Sequence, residues 1–537
     1  MILPALLAMA ATSSMRIDGL RCEYRVNPLG IDSARPRLSW ILHAPERGAL
    51  QTAYRIEAAS SESRLAANRP DLWDSGKVAS DQSSQVGYAG RKLDSRSRVW
   101  WRVKVWNEDR AASPWSAAAR WEMGLLHPSD WHGQWIGSPV ADHRPVYLRT
   151  EFSLDRPVRA ARYYGTALGL YNLTINGRKV TNSVLRPGWT DYHLRVPYQT
   201  YDVGSSVVQG RNAIGIVLAD GWYSGYVGFG HRDDHYGDRP MAMGQLMITF
   251  QDGTSKIIAT DGNWRISHGP VVSADLLMGE TYNAQREMKG WDRPGFNAAG
   301  WSLPAASPVP IAKRPPGTIL APENGWPSNI RLAAQEWPSV RRVAEIKAKS
   351  VVERPSGSYV FDLGQNMVGW ARLRLTAVSR APIRIRYAEM LNPDGTIYTA
   401  NLRGAKATDL YIPRGTGNET FEPDLTFHGF RYVELTGYPG PPPLSAVTGI
   451  VISSIRIAKG NFVCSSSLVN QLQHNIQWGQ QGNYLEVPTD CPQRDERLGW
   501  MGDAEIFVAT GTFNADIAAF MDKWASDIQD AQSAAGG

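Results

Sequence analysis

Along most of this chain apolar and polar side chains alternate with period two, and near residue 465 the period becomes that of a helix. The runs Arg37–Trp40, Ala53–Ala58, Trp101–Trp106, Tyr147–Phe152, Leu170–Ile175, Ala213–Leu218 and Met243–Phe250 alternate in this way. So do Tyr359–Asn366, Ile383–Glu389 and Phe427–Leu435, each bounded by Gly, Pro or Asn. Then Ser465, Ser466 and Ser467 offer N-caps, and Leu468, Leu472 and Ile476 recur at i, i+4 and i+8, which predicts a helix of about fourteen residues. Ile506–Ala509 and Ile517–Met521 read as two further helices broken near Gly511–Asn514, with Asn514 or Asp516 as a cap for the second. The expected fold is multidomain and mainly β, with a short helical region at its end. Three helices alone make a poor independent core.

With 537 residues the chain has room for about three or four domains. Residues 1–14 are apolar and then small; they read as a signal-peptide remnant or a mis-start before Met15. The first reading implies a secreted or periplasmic protein and the second a cytoplasmic one. Residues 15–124 form a β unit in which Trp101, Val103 and Val105 share one face while Arg102, Lys104 and Trp106 share the other. This pattern resembles a fibronectin III-like sandwich. A second β unit spans 130–310, with Asn176-Gly177 as a hairpin signal after Leu170–Ile175. A Pro-rich link covers 304–327, a third β unit 328–457, and the helical region 458–537.

Composition narrows the function classes. The 57 basic and 51 acidic residues are interleaved, and a net charge of +6 over this length argues weakly for nucleic acid. No apolar run is long enough to span a bilayer as a helix. Cys22, Cys464 and Cys491 are odd in number and far apart, so neither a disulfide framework nor a zinc spacing is present. The twenty tryptophans serve either as sandwich core or as surfaces for sugars. The same two readings apply to Asp220-Gly221-Trp222-Tyr223-Ser224-Gly225-Tyr226, a packed loop or a sugar-stacking one. His231–Arg239 is either a solvated loop or a hard-cation site built on its aspartates.

The densest chemistry lies in D-C-P-Q-R-D-E-R-L-G-W-M-G-D, residues 490–503. Four carboxylates, two arginines and a tryptophan fall within fourteen positions. Glycosidic bond cleavage uses a proton donor, acceptors for sugar hydroxyls and an aromatic face. Pro492, Gly499 and Gly502 predict a loop that enters a helix near Asp503. A general acid must keep its proton, and Asp490, Asp495 and Asp503 are close enough in sequence to Glu496 to help. Arg494 and Arg497 oppose this unless they point elsewhere. A salt-bridged connection with Asp503 as N-cap explains the same residues without chemistry.

This segment resembles the signature of the bacterial α-L-rhamnosidases, glycoside hydrolase family 78. The resemblance extends over nearly the whole chain. Leu20–Tyr24, Asn27–Asp32 and Arg35–Trp40 are similar to the family's opening; Leu185–Tyr192 and Asp220–Tyr223 resemble its N-terminal β domain; Asp362–Trp370 and Phe427–Tyr432 resemble its second. The resemblance implies three β-sandwich domains followed by the start of a six-hairpin α/α barrel. It implies an inverting hydrolase that releases terminal α-L-rhamnose from glycosides or polysaccharides; no cofactor and no metal ligand is assigned, and the sequence does not say whether calcium assists binding. Glu496 is then the general acid, and Asp490, Arg494, Trp500 and Asp503 bind the sugar. The family's general base lies later in the barrel than this sequence reaches. The fragment is accordingly expected to be inactive, with residues after about 465 exposed or disordered and Ile506, Phe507, Ile517, Phe520 and Trp524 unpartnered. Two alternatives remain: a non-catalytic carbohydrate-binding protein, and another α/α-barrel glycosidase such as an α-L-fucosidase.

Overall fold

The computed structural model describes residues 15–230, 232–309, 330–457 and 460–532. The leader reading of residues 1–14, His231 in the acidic loop, most of the Pro-rich link and the last five residues lie outside the described residues. The chain divides into two compact units, one ending at Trp131 and the other beginning at His132.

In the first unit a three-stranded sheet (Arg16–Cys22, Arg37–His43, Val86–Gly87) and a six-stranded sheet centred on Ala53–Ala59 and Arg98–Trp106 enclose one core. The predicted alternation holds in Arg98–Trp106: Val99, Trp101, Val103 and Val105 are fully buried. On the outer face Arg102 and Lys104 lie over the ring of Trp115, at 4.3 and 4.7 Å from its centroid. Outward aromatics here cover cations.

Among the described residues the second unit contains three large sheets and two two-stranded ones. A seven-stranded sheet built on Val158–Leu168 and Met241–Phe250 packs against a five-stranded sheet that includes Val146–Leu154, Leu170–Ile175 and Gly210–Ala219. The predicted hairpin closes at Asn176 and Gly177, with φ of 52° and 78°, and pairs Ile175 with Arg178. The ten-stranded sheet is organised around the 17-residue strand Tyr359–Leu375. Chain order and sheet order part company twice. Gly279–Asn283, within the 130–310 stretch, pairs in parallel with Thr408–Ile412 of the large sheet. Arg331–Ala334, from the 328–457 stretch, pairs in parallel with Arg195–Tyr198 of the seven-stranded sheet. Alternation marks a strand but carries no information about its partner.

Three helices follow: α1 (Ser467–Asn483), α2 (Met501–Asn514) and α3 (Ala518–Ala531). Ser466 caps α1, accepting from the Val469 amide at 3.4 Å. The cap expected for α3 is not formed: Ile517 holds that position without a side-chain bond, and Asn514 is the last residue of α2. The expected stripe on α1 is also reversed, because Leu468 and Leu472 are 81% and 56% exposed. What α1 packs is its far end, with Trp478 against the core of the large sheet and Gly482 against Val368. Nor are the later apolar side chains all left without partners. Ile517 and Phe520 are buried with Ile455, Tyr484 and Ala515; Phe520 stacks on Tyr484 at 4.6 Å, and Phe507 packs at the margin. Ile506 does stay exposed. The β scaffold supplies the surface these helices need, so they form an ordered layer on it. No helix among the described residues is long and apolar enough to cross a membrane.

Candidate active site

The acidic segment is a closed loop between α1 and α2. Tyr484–Leu485 pairs with Val487–Pro488, Thr489 bridges to Gly499, and the Trp500 amide donates to Pro488 O at 3.2 Å. The pinched base leaves residues 490–498 as a loop over the β scaffold, the kind of element that carries chemistry on a rigid support. Gly499 is required at the pinch: a Cβ there would lie 2.5 Å from Cη2 of Trp524. The loop runs to Trp500, and Gly502 and Asp503 already belong to the first turn of α2, so Asp503 is not the N-cap.

Successive side chains of the loop point in different directions. Asp495 pairs with Nε of Arg403 at 2.9 Å, while its amide donates to Leu402 O. Arg497, 3% exposed and at φ 60°, donates through Nη1 to the carbonyls of Leu276 and Phe427 and stacks over the Phe427 ring at 4.4 Å. Burial pushes its guanidinium down to about 9, which the charge of Asp275 only partly offsets. Both are anchors to the scaffold. Gly228, on a loop from the N-terminal side, donates its amide to Glu496 O at 3.0 Å.

Glu496 points the other way and is 1% exposed. Its Oε2 accepts from Nη2 of Arg494 at 3.0 Å, and its Oε1 accepts from the indole Nε1 of Trp500. The same Arg494 nitrogen reaches Asp490 Oδ2 at 3.4 Å, and Cys491 Sγ donates to that oxygen at 2.9 Å. Burial, followed by the bond to Asp490, pushes the Cys491 thiol up to about 12. Trp500 is 41% exposed, so a buried carboxylate is tied to an accessible indole. The structure thus gathers Asp490, Arg494, Glu496 and Trp500. Asp503, exposed in the first turn of α2, meets Asp490 across a cleft of about 520 Å³ lined also by Gln480, Asn483 and Phe507. Asp490 is the shared member of the two groups.

Asp490, Cys491 and Glu496 bring ligand-type atoms within 4.8 Å of one another. Arg494 bonds both carboxylates, so a cation would have to displace a guanidinium. The loop at 232–239 gathers no such group among the described residues. Its Asp234 faces His143, which the Asp220 carboxylate holds up at about 9. In Asp220–Tyr226 two of the three rings fit the packed-loop reading: Trp222 and Tyr223 are buried, and Trp222 stacks on Trp189 at 5.9 Å, while Tyr226 is half-exposed.

Glu486 went unnoticed in the sequence. It lies four residues before Asp490, is fully buried, and accepts from the Trp189 amide at 3.3 Å and from Trp337 Nε1 at 3.2 Å. Burial pushes its carboxyl up to about 7, against the opposing charge of Lys523. Only its proximity to the acidic segment signalled it, since burial is not written in sequence.

Comparisons with known proteins bear on this geometry. Family models match in chain order: a Rha78A-like N-terminal immunoglobulin domain at 17–127, the α-L-rhamnosidase N-terminal domain at 156–332, the bacterial α-L-rhamnosidase concanavalin-like domain at 352–453 and its six-hairpin glycosidase domain at 458–537. The chain belongs to the bacterial α-L-rhamnosidases of glycoside hydrolase family 78. An α-L-rhamnosidase of Streptomyces avermitilis is 36% identical over 98% of this chain and 66% of its own length. One from Formosa agariphila is 40% identical over 95% of this chain and 55% of its own. The crystal structure of the S. avermitilis α-L-rhamnosidase complexed with L-rhamnose superposes with a TM-score of 0.88 at 35% identity, covering 97% of this chain and 65% of that one. The chain spans 55–66% of the length of the curated α-L-rhamnosidases it matches.

Proposed function

We propose that this chain carries the sugar-holding and acid-donating part of an α-L-rhamnosidase that releases terminal α-L-rhamnose from glycosides or polysaccharides with inversion. The observation that carries this reading is Glu496, a buried carboxyl beside the exposed Trp500 and linked through Arg494 to Asp490. Because Arg494 points at it and favours the ionised form, the acid role requires substrate to displace that contact as the proton is taken up. In this role Glu496 gives its proton to the glycosidic oxygen as the bond to the anomeric carbon breaks. Arg494 fixes the carboxyl and ties it to Asp490. Asp490 and Asp503 accept hydrogen bonds from rhamnose hydroxyls, and the indole of Trp500 packs on an apolar face of the sugar. Burial in a site closed by substrate strengthens each of these interactions.

Inversion requires a second carboxylate about 6.5–9.5 Å from the first, leaving room for the attacking water. We place that base outside the described residues and expect residues 15–532 alone to bind rhamnose with little turnover. The test is a panel of 4-nitrophenyl glycosides on this chain and on one carrying the further C-terminal length of its relatives. The longer protein should cleave the α-L-rhamnoside, with β-L-rhamnose as first product. Cleavage of the fucoside instead, or retention of configuration, overturns the reading.

A further inference from the structure

A second site lies away from the catalytic loop, in a cavity of about 770 Å³ lined by Lys179, Arg186, Arg341, Arg342, Arg456 and the single carboxylate Asp424. Five cations against one anion is a steep local excess for a protein whose formal net charge is +6. The topology creates it. Arg341 pairs with Ser453 at one end of the large sheet, which brings Arg456 alongside, and Ser183 bridges to Arg341 from the neighbouring sandwich.

The charges are unevenly satisfied. Lys179 pairs with Asp424, and Arg342 with Glu422 at 2.7 Å. Arg341 and Arg456 are exposed, and no described carboxylate pairs with either. Arg186 is the informative one. It is 3% exposed, stacks on Tyr171 at 5.2 Å, and bonds only neutral groups, Asn172 Oδ1 at 2.9 Å and Tyr201 Oη at 3.4 Å. Its Nε has no partner among the described residues. A buried guanidinium with a free donor, at a wall shared with two unpaired arginines, is a site for an oxyanion.

The volume far exceeds what a free ion needs, and the remaining wall offers the amides and hydroxyls of Asn172, Asn182 and Ser183. Asn172, Lys179 and Asp424 also line an adjoining cavity of about 1150 Å³ that carries Tyr282, Trp291 and Phe421. That adjoining cavity also carries Glu280, Glu287, Asp292 and Glu422, so it would repel an anion, and its half-buried Tyr282 and Trp291 suit a neutral part of a glycan whose charged substituent sits in the basic cavity. We propose that the basic cavity binds the anionic group, carboxylate or sulfate ester, of an acidic oligosaccharide. No residue of the 484–503 segment lines it, so binding here stands independently of the role given to Glu496.

The test is isothermal titration of the 537-residue chain with an oligoglucuronate trimer, a sulfated glucose trimer, neutral cellotriose and inorganic sulfate. At least one acidic trimer should bind, with affinity that falls as salt rises, and whichever does so identifies the anion. Joint substitution Arg341→Gln and Arg456→Gln, at exposed positions, should weaken that binding by about tenfold or more. The proposal is overturned if neither acidic trimer binds, if cellotriose binds as tightly, if inorganic sulfate alone matches the trimers, or if the double variant binds unchanged.

Discussion

Nη2 of Arg494 lies 3.0 Å from Oε2 of Glu496, and the same nitrogen reaches Asp490 at 3.4 Å. One guanidinium therefore sets the position of the proposed acid relative to a proposed sugar-binding carboxylate. Replacing Arg494 with Ala leaves Glu496, at 1% side-chain exposure, without its charged partner. The expected cost is about 1–3 kcal/mol of local stability, and L-rhamnose affinity should fall with it. Titration calorimetry with rhamnose and hydrogen exchange over 484–503 measure the two effects.

Glu486 makes the loop sensitive to pH. Its carboxyl is pushed up from 4.5 to about 7, so between these values the folded chain holds a proton that the unfolded chain has released. The stability this group contributes is full below about pH 4.5 and is lost as pH rises through 7; the shift corresponds to about 3 kcal/mol. Hydrogen exchange of residues 484–500 should accelerate from pH 5 to pH 8 beyond the intrinsic chemical rate. In Glu486→Gln that extra acceleration should disappear.

Gly499 holds the loop base against Trp524. Gly499→Ala places a methyl 2.5 Å from the Trp524 indole and 3.3 Å from Val487 Cβ. Overpacking of this kind costs about 1–3 kcal/mol. The variant should show an altered tryptophan emission spectrum and weaker rhamnose binding, since Trp500 is the next residue along.

Arg195 ties α3 to the seven-stranded sheet. It is 4% exposed and pairs with Asp527 at 2.9 Å and Asp530 at 2.6 Å, while Lys523 also pairs with Asp527 at 2.6 Å. Removing one partner of a buried pair costs about 3–5 kcal/mol, and the remaining lysine puts Arg195→Ala near the lower end. Proteolysis should then cut within 518–531 at protease concentrations that leave the parent chain intact.

Strand identity in this protein was legible because alternation reflects a buried and an open face, as Trp101 and Val103 show against Arg102 and Lys104. Strand partnership was not, because Gly279–Asn283 and Arg331–Ala334 each join a sheet that chain order does not indicate. On α1 the stripe of Leu468 and Leu472 misled, since the β scaffold takes the opposite end of the helix through Trp478 and Gly482. The crowding of 490–503 pointed to the candidate site, but sequence spacing treats Arg494 and Arg497 alike. Only the backbone separates them, through the left-handed conformation at Arg497 that turns its side chain into the scaffold while Arg494 stays beside Glu496.

The role of Glu496 is tested most directly by leaving-group dependence, in the protein extended to the length of its relatives. A proton donor matters little for a nitrophenolate, which leaves unaided, and greatly for an alkyl or sugar alkoxide. Glu496→Gln should therefore depress kcat/KM for an alkyl or disaccharide α-L-rhamnoside by about 10²–10⁴-fold and far less for 4-nitrophenyl α-L-rhamnoside. An equal loss on both substrates would contradict the assignment of Glu496 as the acid.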